Sequence, residues 1–236
     1  MSNNNSYDYD LIVIGAGSGG VRAARISAGH GAKVALIEKK HLGGTCVNVG
    51  CVPKKLLAYA SRFSHDFEDC QAYGWSVDNP VHKWSKLIEN KDKEIERLRS
   101  IYGSLLKDVD LYTGHGEFVD THTVQVNDQK ITAENILIAT GGHPFIPDIK
   151  GSEHFVTSDD MFYLDECPDH LTIYGGGYIA TEFACIMRGL GAEVTLVYRG
   201  NLFMRHFDND IRLHLAEEMK KQGIELSFGC EIEKIS

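Results

Sequence analysis

The sequence predicts an α/β chain built from two parallel-sheet units, and three observations support this. Two segments, DYDLIVIGAGSGGVRAARISAGHGAKVALIEK and HLTIYGGGYIATEFACIMRGLGAEVTLVYR, each read as strand, glycine turn, helix and strand. The stretch between them changes period, from helical spacing over 83–107 to strand-like alternation after 111. With 236 residues, 43% hydrophobic and 24% charged, the chain can bury a core in each unit. Its 33 acidic and 24 basic residues leave a net charge of −9, so no basic excess draws nucleic acid or an anionic membrane. The start, MSNNNSYDYD, is polar, and the first apolar run, 11–14, is too short for a signal peptide. Nothing approaches a membrane span, and the expected setting is the cytosol.

In the first unit the runs 11–14 and 34–37 suit parallel strands buried on both faces. Gly15, Gly17 and Gly20 form G-x-G-x-x-G, and Ala24 is small enough to let the helix lie close to the sheet. The N-terminus of that helix offers N–H groups and a partial positive charge to a pyrophosphate. Glu38 ends the second strand, where a carboxylate accepts hydrogen bonds from ribose hydroxyls. The glycine pattern alone is weak; with both strands and the acid it predicts a Rossmann-like dinucleotide-binding domain.

The helical stretch 83–107 carries apolar residues at 84, 87, 88, 95, 98, 102 and 105, a stripe expected to be core. Short strands follow over 111–140 as a small antiparallel insertion, with NDQ as the hairpin turn and a buried-type strand at 136–139. GGHPFIPDIKG, with Pro144 and Pro147, marks the crossing between domains, expected to be 1–147 and 148–236.

The second unit repeats the turn as Gly175, Gly177 and Ala180, with Ala184 at the packing position. The interval that leads from Gly15 to Glu38 leads here from Gly175 to Tyr198, so the ribose-binding acid is absent. Arg199 and Arg205 follow and can pair with a 2′-phosphate through charge-assisted forks. The first site therefore predicts an adenine dinucleotide without that phosphate, and the second NADPH. The last residues, EIEKIS, read as a strand that leaves the second domain incomplete.

Six cysteines in a reducing compartment are not a disulfide framework. Cys70, Cys167, Cys185 and Cys230 are expected as small buried residues. Cys46 and Cys51, in GGTCVNVGCVPKK, differ. On a regular helix their Cα atoms would stand about 8.6 Å apart, and a disulfide needs less than about 7 Å. The backbone between them must leave the helix, and Asn48 and Gly50 tolerate that. Pro53 suits the first turn of a following helix, which puts Cys51 at its N-terminus with Lys54 and Lys55 behind, a setting that favours a thiolate. A metal site is the competitor, but it wants more ligands than His41 adds; a redox pair is the preferred reading.

Together, GGTCVNVGCVPKK, the two glycine fingerprints, ILIATGG and the Arg199/Arg205 pair resemble the flavoprotein disulfide reductases, and among them most closely the glutathione reductase group, from about residue 7 onward. The resemblance implies FAD in the first domain, with Gly15, Gly17, Ser18, Gly19, Gly20, Glu38, Gly44, Thr45, Thr140 and Gly141 as contacts, and NADPH in the second, with Gly175, Gly177, Tyr178, Ile179, Arg199 and Arg205. Hydride would pass from NADPH to the flavin, and the flavin would reduce a Cys46–Cys51 disulfide. Cys51 would face the flavin, and Cys46 would attack glutathione disulfide. Lys54 and Glu182 would pair beside the flavin ring, Tyr178 would gate the nicotinamide, and Tyr102 would line the glutathione cleft. Dihydrolipoamide dehydrogenases usually have leucine after the first cysteine and Ser-Lys after the proline, where this chain has Val47 and Lys54-Lys55. Trypanothione reductases share the cysteine motif and stay open, as does an FAD-dependent oxidoreductase with structural cysteines. Members of the family form homodimers, completed by an interface domain whose histidine reaches the partner's thiols; none of the eleven histidines here stands in that context. Little turnover is therefore expected from these residues alone.

Overall fold

The computed structural model describes residues 7–235; residues 1–6, which hold most of the polar start, and Ser236 lie outside it. The chain divides into two compact units, Met1–Pro53 with Lys91–His143, and Lys54–Asn90 with Pro144–Ser236.

The first unit is a six-stranded sheet. Strand β1 (Tyr9–Ile14) leads through α1 (Ser18–Gly29) to β2 (Val34–Glu38) and α2 (Gly44–Asn48); α3 (Cys51–Asp69) belongs to the second unit from Lys54 on, and α4 (Trp84–Leu105) to the first from Lys91 on. Strands β3 (Asp110–Thr113), β4 (Gly116–Phe118), β5 (Thr123–Val126) and β6 (Gln129–Ile138) follow. The order is β3-β2-β1-β6-β5-β4, with β1 parallel to both β2 and β6 at the centre. Side chains alternate between faces, as the two-residue period of a strand requires. Ile12, Ile14, Ala35 and Ile37 pack with Val124, Val126 and Ile131, while Val13, Val34 and Leu36 pack with Val21, Ala24 and Leu106. These continuous apolar runs are thus buried on both sides, as read from the sequence.

The insertion also forms where the period changes. Val126 pairs with Gln129 across a two-residue turn, and Asn127 adopts the left-handed region at φ 52° that asparagine tolerates. The strand expected to be buried at 136–139 is not fully covered: Leu137 and Ile138 are 38% and 64% exposed. The reason lies in register, because β5 pairs only with 129–132 of β6, whereas β1 pairs with 133–138. On α4, Trp84 and Ile95 are buried, but Leu105 is 39% exposed and Leu106, just past the helix end, takes its core position.

In the second unit β7 (His170–Tyr174), β8 (Glu193–Tyr198) and β9 (Glu225–Phe228) form a parallel sheet in that order. Helices α5 (Tyr178–Gly189) and α6 (Asn209–Lys221) make the crossovers. Phe183, Ala184, Ile186 and Met187 bury one face of α5, with Ala184 fully covered as its packing position requires. Trp84 donates its indole N–H to the Leu164 carbonyl at 2.8 Å. Of EIEKIS, the described residues 231–235 do not form the expected strand, with Lys234 in a single parallel bridge to Lys150, and Ser236 lies outside the described residues. No helix among the described residues is long and apolar enough to cross a membrane.

Two glycines of the first turn are dictated by close approach. Gly15 sits at φ 105°, and a Cβ there would strike the Ala139 carbonyl; a Cβ on Gly20 would strike the carbonyl of Gly15. Gly19 faces open space. Gly20→Ala is therefore expected to cost about 1–3 kcal/mol of stability by overpacking, and Gly19→Ala to change it by less than about 0.5 kcal/mol, as read by chemical denaturation of the two variants.

Candidate active site

The glycine turn of the first unit presents an anion site. Gly17 caps α1 without a side-chain acceptor, and the first turn carries no acid, so the N-terminal N–H dipoles are open to a negative charge. Glu38 closes one side: its Oε2 accepts from the Ala16 N–H and its Oε1 from the Lys40 N–H, both at 2.7 Å. Each oxygen keeps a lone pair for a hydroxyl. On the other side Gly44, at φ 56°, runs so near the turn that a Cβ would lie 2.6 Å from the Gly17 Cα. This brings Gly44 and Thr45 to the turn, and the Thr140 backbone lies against Gly15. Gly141, at φ 71°, follows on the exposed end of the same segment.

The cysteine pair sits at a break between two helices. Helix α2 ends at Asn48, α3 begins at Cys51, and Val49–Gly50 forms the bend, with Val49 at φ −141°. The departure from the helix is thus real, but Asn48 and Gly50 do not supply it by unusual backbone angles. Asn48 stays helical, and Gly50 is small because a Cβ would lie 2.7 Å from the Thr45 carbonyl. Both cysteines are free thiols in the structure, Cys46 half-buried and Cys51 exposed, and near enough for each to act on the other's titration. Burial pushes the Cys46 thiol above its ordinary range, and the Cys51 thiol raises it further. The Cys51 backbone and the Ser18 hydroxyl pull in the opposite direction. Ser18 is the first residue of α1, so Cys46 lies close to the glycine turn. The other four cysteines are less covered than expected: Cys70, Cys167 and Cys185 are half-buried and Cys230 is exposed. None of them occupies a fully packed core position.

Asn48 is the polar residue the sequence reading undervalued. It is 6% exposed, its amide donates to the Leu42 and Gly44 carbonyls at 3.0 and 2.8 Å, and its Oδ1 accepts from Arg99 Nε at 2.6 Å. The available signal was an amide set between valines, which must be bonded if buried. Tyr102, three residues beyond Arg99, is half-buried and packs on the core of the first unit.

In the second unit Lys54 Nζ meets Glu182 Oε1 at 2.7 Å, with side chains 28% and 39% exposed. Gly177 caps α5 without a side-chain acceptor, and Tyr178 and Ile179 stand exposed in the first turn. Tyr198 occupies the place that Glu38 holds in the first unit, and its ring fills the space where a Cβ on Gly176 or Gly200 would sit. The following loop folds back over the turn: Met204 N–H donates to the Gly176 carbonyl at 2.6 Å, and Arg212 donates to the Leu202 and Phe203 carbonyls. Arg199 and Arg205 are exposed on this loop, and Arg205 Nε contacts His206 Nε2 at 3.1 Å.

A family model described as pyridine nucleotide-disulphide oxidoreductase matches residues 9–236. The glutathione reductase of Burkholderia cepacia is 49% identical over 228 residues, which cover 96% of this chain and 51% of that protein. That of Nostoc sp. is 48% identical, covering 94% and 49%, and the chloroplastic/mitochondrial enzyme of Pisum sativum is 48% identical, covering 93% and 42%. The chain thus spans about half the length of the curated relatives it matches. Among solved structures, the HOCl-induced flavoprotein disulfide reductase RclA from Escherichia coli superposes with a TM-score of 0.85 at 30% identity, over 97% of this chain and 51% of that one.

The raised Cys46 pKa gives a signed pH dependence. Alkylation needs the thiolate, so its rate at Cys46 is expected to keep rising between about pH 9 and pH 10, where an ordinary cysteine levels off. Peptide-resolved alkylation rates check this, and a rate at Cys46 that levels off between about pH 9 and pH 10, as an ordinary cysteine's does, would contradict it.

Proposed function

The chain belongs to the pyridine nucleotide-disulphide oxidoreductase family, and from that premise we propose that it forms the cofactor-binding and dithiol-bearing part of an NADPH-dependent glutathione-disulfide reductase. The observation that carries the reading is the Cys46/Cys51 pair, two free thiols brought together across the break between α2 and α3, with Ser18 of the glycine turn near Cys46. The residues present fit FAD at the first turn. The open N-terminus of α1, a cradle that a Cβ on Gly44 would fill, and Glu38 with free lone pairs suit a pyrophosphate and a ribose. The second turn fits NADPH, with an uncapped α5, no carboxylate at Tyr198 and two exposed guanidiniums at Arg199 and Arg205. In this reading the FAD domain is 1–147 and the NADPH domain 148–236.

When bound, FAD supplies the relay that carries two electrons from NADPH to the cysteine pair. Cys46, once deprotonated, attacks one sulfur of glutathione disulfide, forming a mixed disulfide and releasing one glutathione thiolate. Cys51 then attacks the Cys46 sulfur, releases the second glutathione and closes the Cys46–Cys51 bond, which the next two electrons reopen. Because burial holds the Cys46 proton, a base must take it, and that role is assigned to a histidine of a partner subunit. Lys54 and Glu182 are assigned to the flavin ring, Tyr178 and Ile179 to the nicotinamide, and Tyr102 to glutathione.

A homodimer is proposed for the working enzyme. Exposed aromatics on α3 and just beyond it, Tyr59, Phe63, Tyr73 and Trp75, support an apolar docking face for a second copy. A cytoplasmic setting is proposed because a reducing compartment supplies the glutathione pool on which the reaction acts.

The assignment of the two sulfurs is tested by trapping. Cys51→Ser, reduced and then exposed to glutathione disulfide, is expected to retain one glutathione on Cys46, since the resolving thiol is gone; Cys46→Ser should retain far less. Intact-mass and peptide analysis reads the adducts, and equal adducts on both variants would refute the assigned roles. Lys54→Met removes the ion pair with Glu182. An exposed pair of this kind contributes only about 0–1 kcal/mol to stability, so the variant should melt almost unchanged and lose cofactor-linked reduction of the thiols. Retention of that reduction in Lys54→Met would remove Lys54 from the site.

A further inference from the structure

Helix α2 has five residues, too few to hold itself in water, yet it carries Cys46 and ends where the chain bends toward Cys51. Beside the buried Val47 and a backbone bond from Gly43 to Ala16, one polar side chain supports it. The amide of Asn48 spans the Leu42 and Gly44 carbonyls, joining the helix to the turn that precedes it. A carboxamide can satisfy those carbonyls only when its nitrogen faces them and its oxygen faces away. Arg99, on α4, sits on that oxygen at 2.6 Å, and a guanidinium, which has donors and no acceptor, admits no other orientation. Arg99 is three-quarters buried, and its contact with Glu96 is a long one at 3.5 Å.

We propose that Arg99 is a positioning residue for the thiol pair, acting through Asn48: it fixes the amide that holds α2, and so the separation of Cys46 from Cys51. The proposal rests on the redox reading above. In glutathione buffers the pair equilibrates as two thiols plus glutathione disulfide against one Cys46–Cys51 disulfide plus two glutathione thiols. Two electrons leave the protein sulfurs and reduce the glutathione disulfide, and the two thiol protons end on glutathione. The equilibrium constant measures how well the backbone holds the sulfurs together. Loss of the Arg99 donor frees the amide, loosens α2 and lowers that constant.

The experiment is this equilibrium on the purified protein, quenched by alkylation and read on the peptide holding both cysteines. Arg99→Met keeps most of the stem and removes the donor; Arg99→Ala serves the same purpose if the first does not fold. Arg97→Leu is the control, since Arg97 is exposed and bonded to Glu94 on its own helix. Arg99→Met is expected to lower the constant by about three- to tenfold, the range of one hydrogen bond. Arg97→Leu should leave it unchanged. In an Asn48→Ala background the Arg99 substitution should add nothing, because the amide it orients is gone. An Arg99 variant that matches the Arg97 control, or that shifts the constant equally with and without Asn48, overturns the positioning role. If the unaltered protein forms no Cys46–Cys51 disulfide in any of these buffers, the redox reading itself fails, which is a different result.

Discussion

Two residues five apart on a continuous helix hold their sulfurs too far apart to bond, so the chemistry of this chain depends on one interruption of the backbone. Helix α2 stops at Asn48, Val49 and Gly50 turn the chain, and α3 starts at Cys51. A side chain at Gly50 would press on the Thr45 carbonyl, and the Asn48 amide secures the turn from within. The same loop runs against the glycine turn, where Gly44 and Gly17 meet backbone to backbone and Ser18 reaches the Cys46 thiol. A single local device therefore sets both the spacing of the thiols and their place beside the N-terminal end of α1.

The two glycine turns use the same backbone toward different ends. In the first, the Glu38 carboxylate accepts from the Ala16 N–H and keeps lone pairs that, in the proposed reading, take a ribose hydroxyl. In the second, the Tyr198 ring takes that place, and glycine at 176 is what makes room for it. Replacing an anion by an aromatic ring, with Arg199 next in sequence, changes the sign of the field at the end of the second strand. In the proposed reading this favours a ligand with one more phosphate there and disfavours it at Glu38.

Patterns that act locally were legible in the sequence. The runs 11–14 and 34–37, the turn at Asn127–Asp128 and the packing alanines 24 and 184 all stand where period, turn chemistry and size place them. What escaped depends on partners distant in sequence. The exposure of Leu137 and Ile138 follows from the register of β5 on β6, and no single-segment pattern carries a register. EIEKIS alternates like a strand, but among its described residues, 231–235, only Lys234 makes a bridge. At the thiols, spacing required a helix break and the break is present, but the sequence reading assigned Asn48 to backbone freedom. Its side chain matters instead, through Arg99, 51 positions away. Hydrogen bonds of such range leave no mark on periodicity.

The central claim is that a nicotinamide delivers electrons to Cys46 and Cys51 through the bound flavin. Its most direct test is an anaerobic titration of the oxidised, FAD-loaded protein with NADPH, counting alkylatable thiols peptide by peptide. The account predicts that one equivalent exposes Cys46 and Cys51 together and leaves the reactivity of the other four cysteines unchanged. If the reduced coenzyme is consumed while these two sulfurs stay closed to alkylation, the account is contradicted.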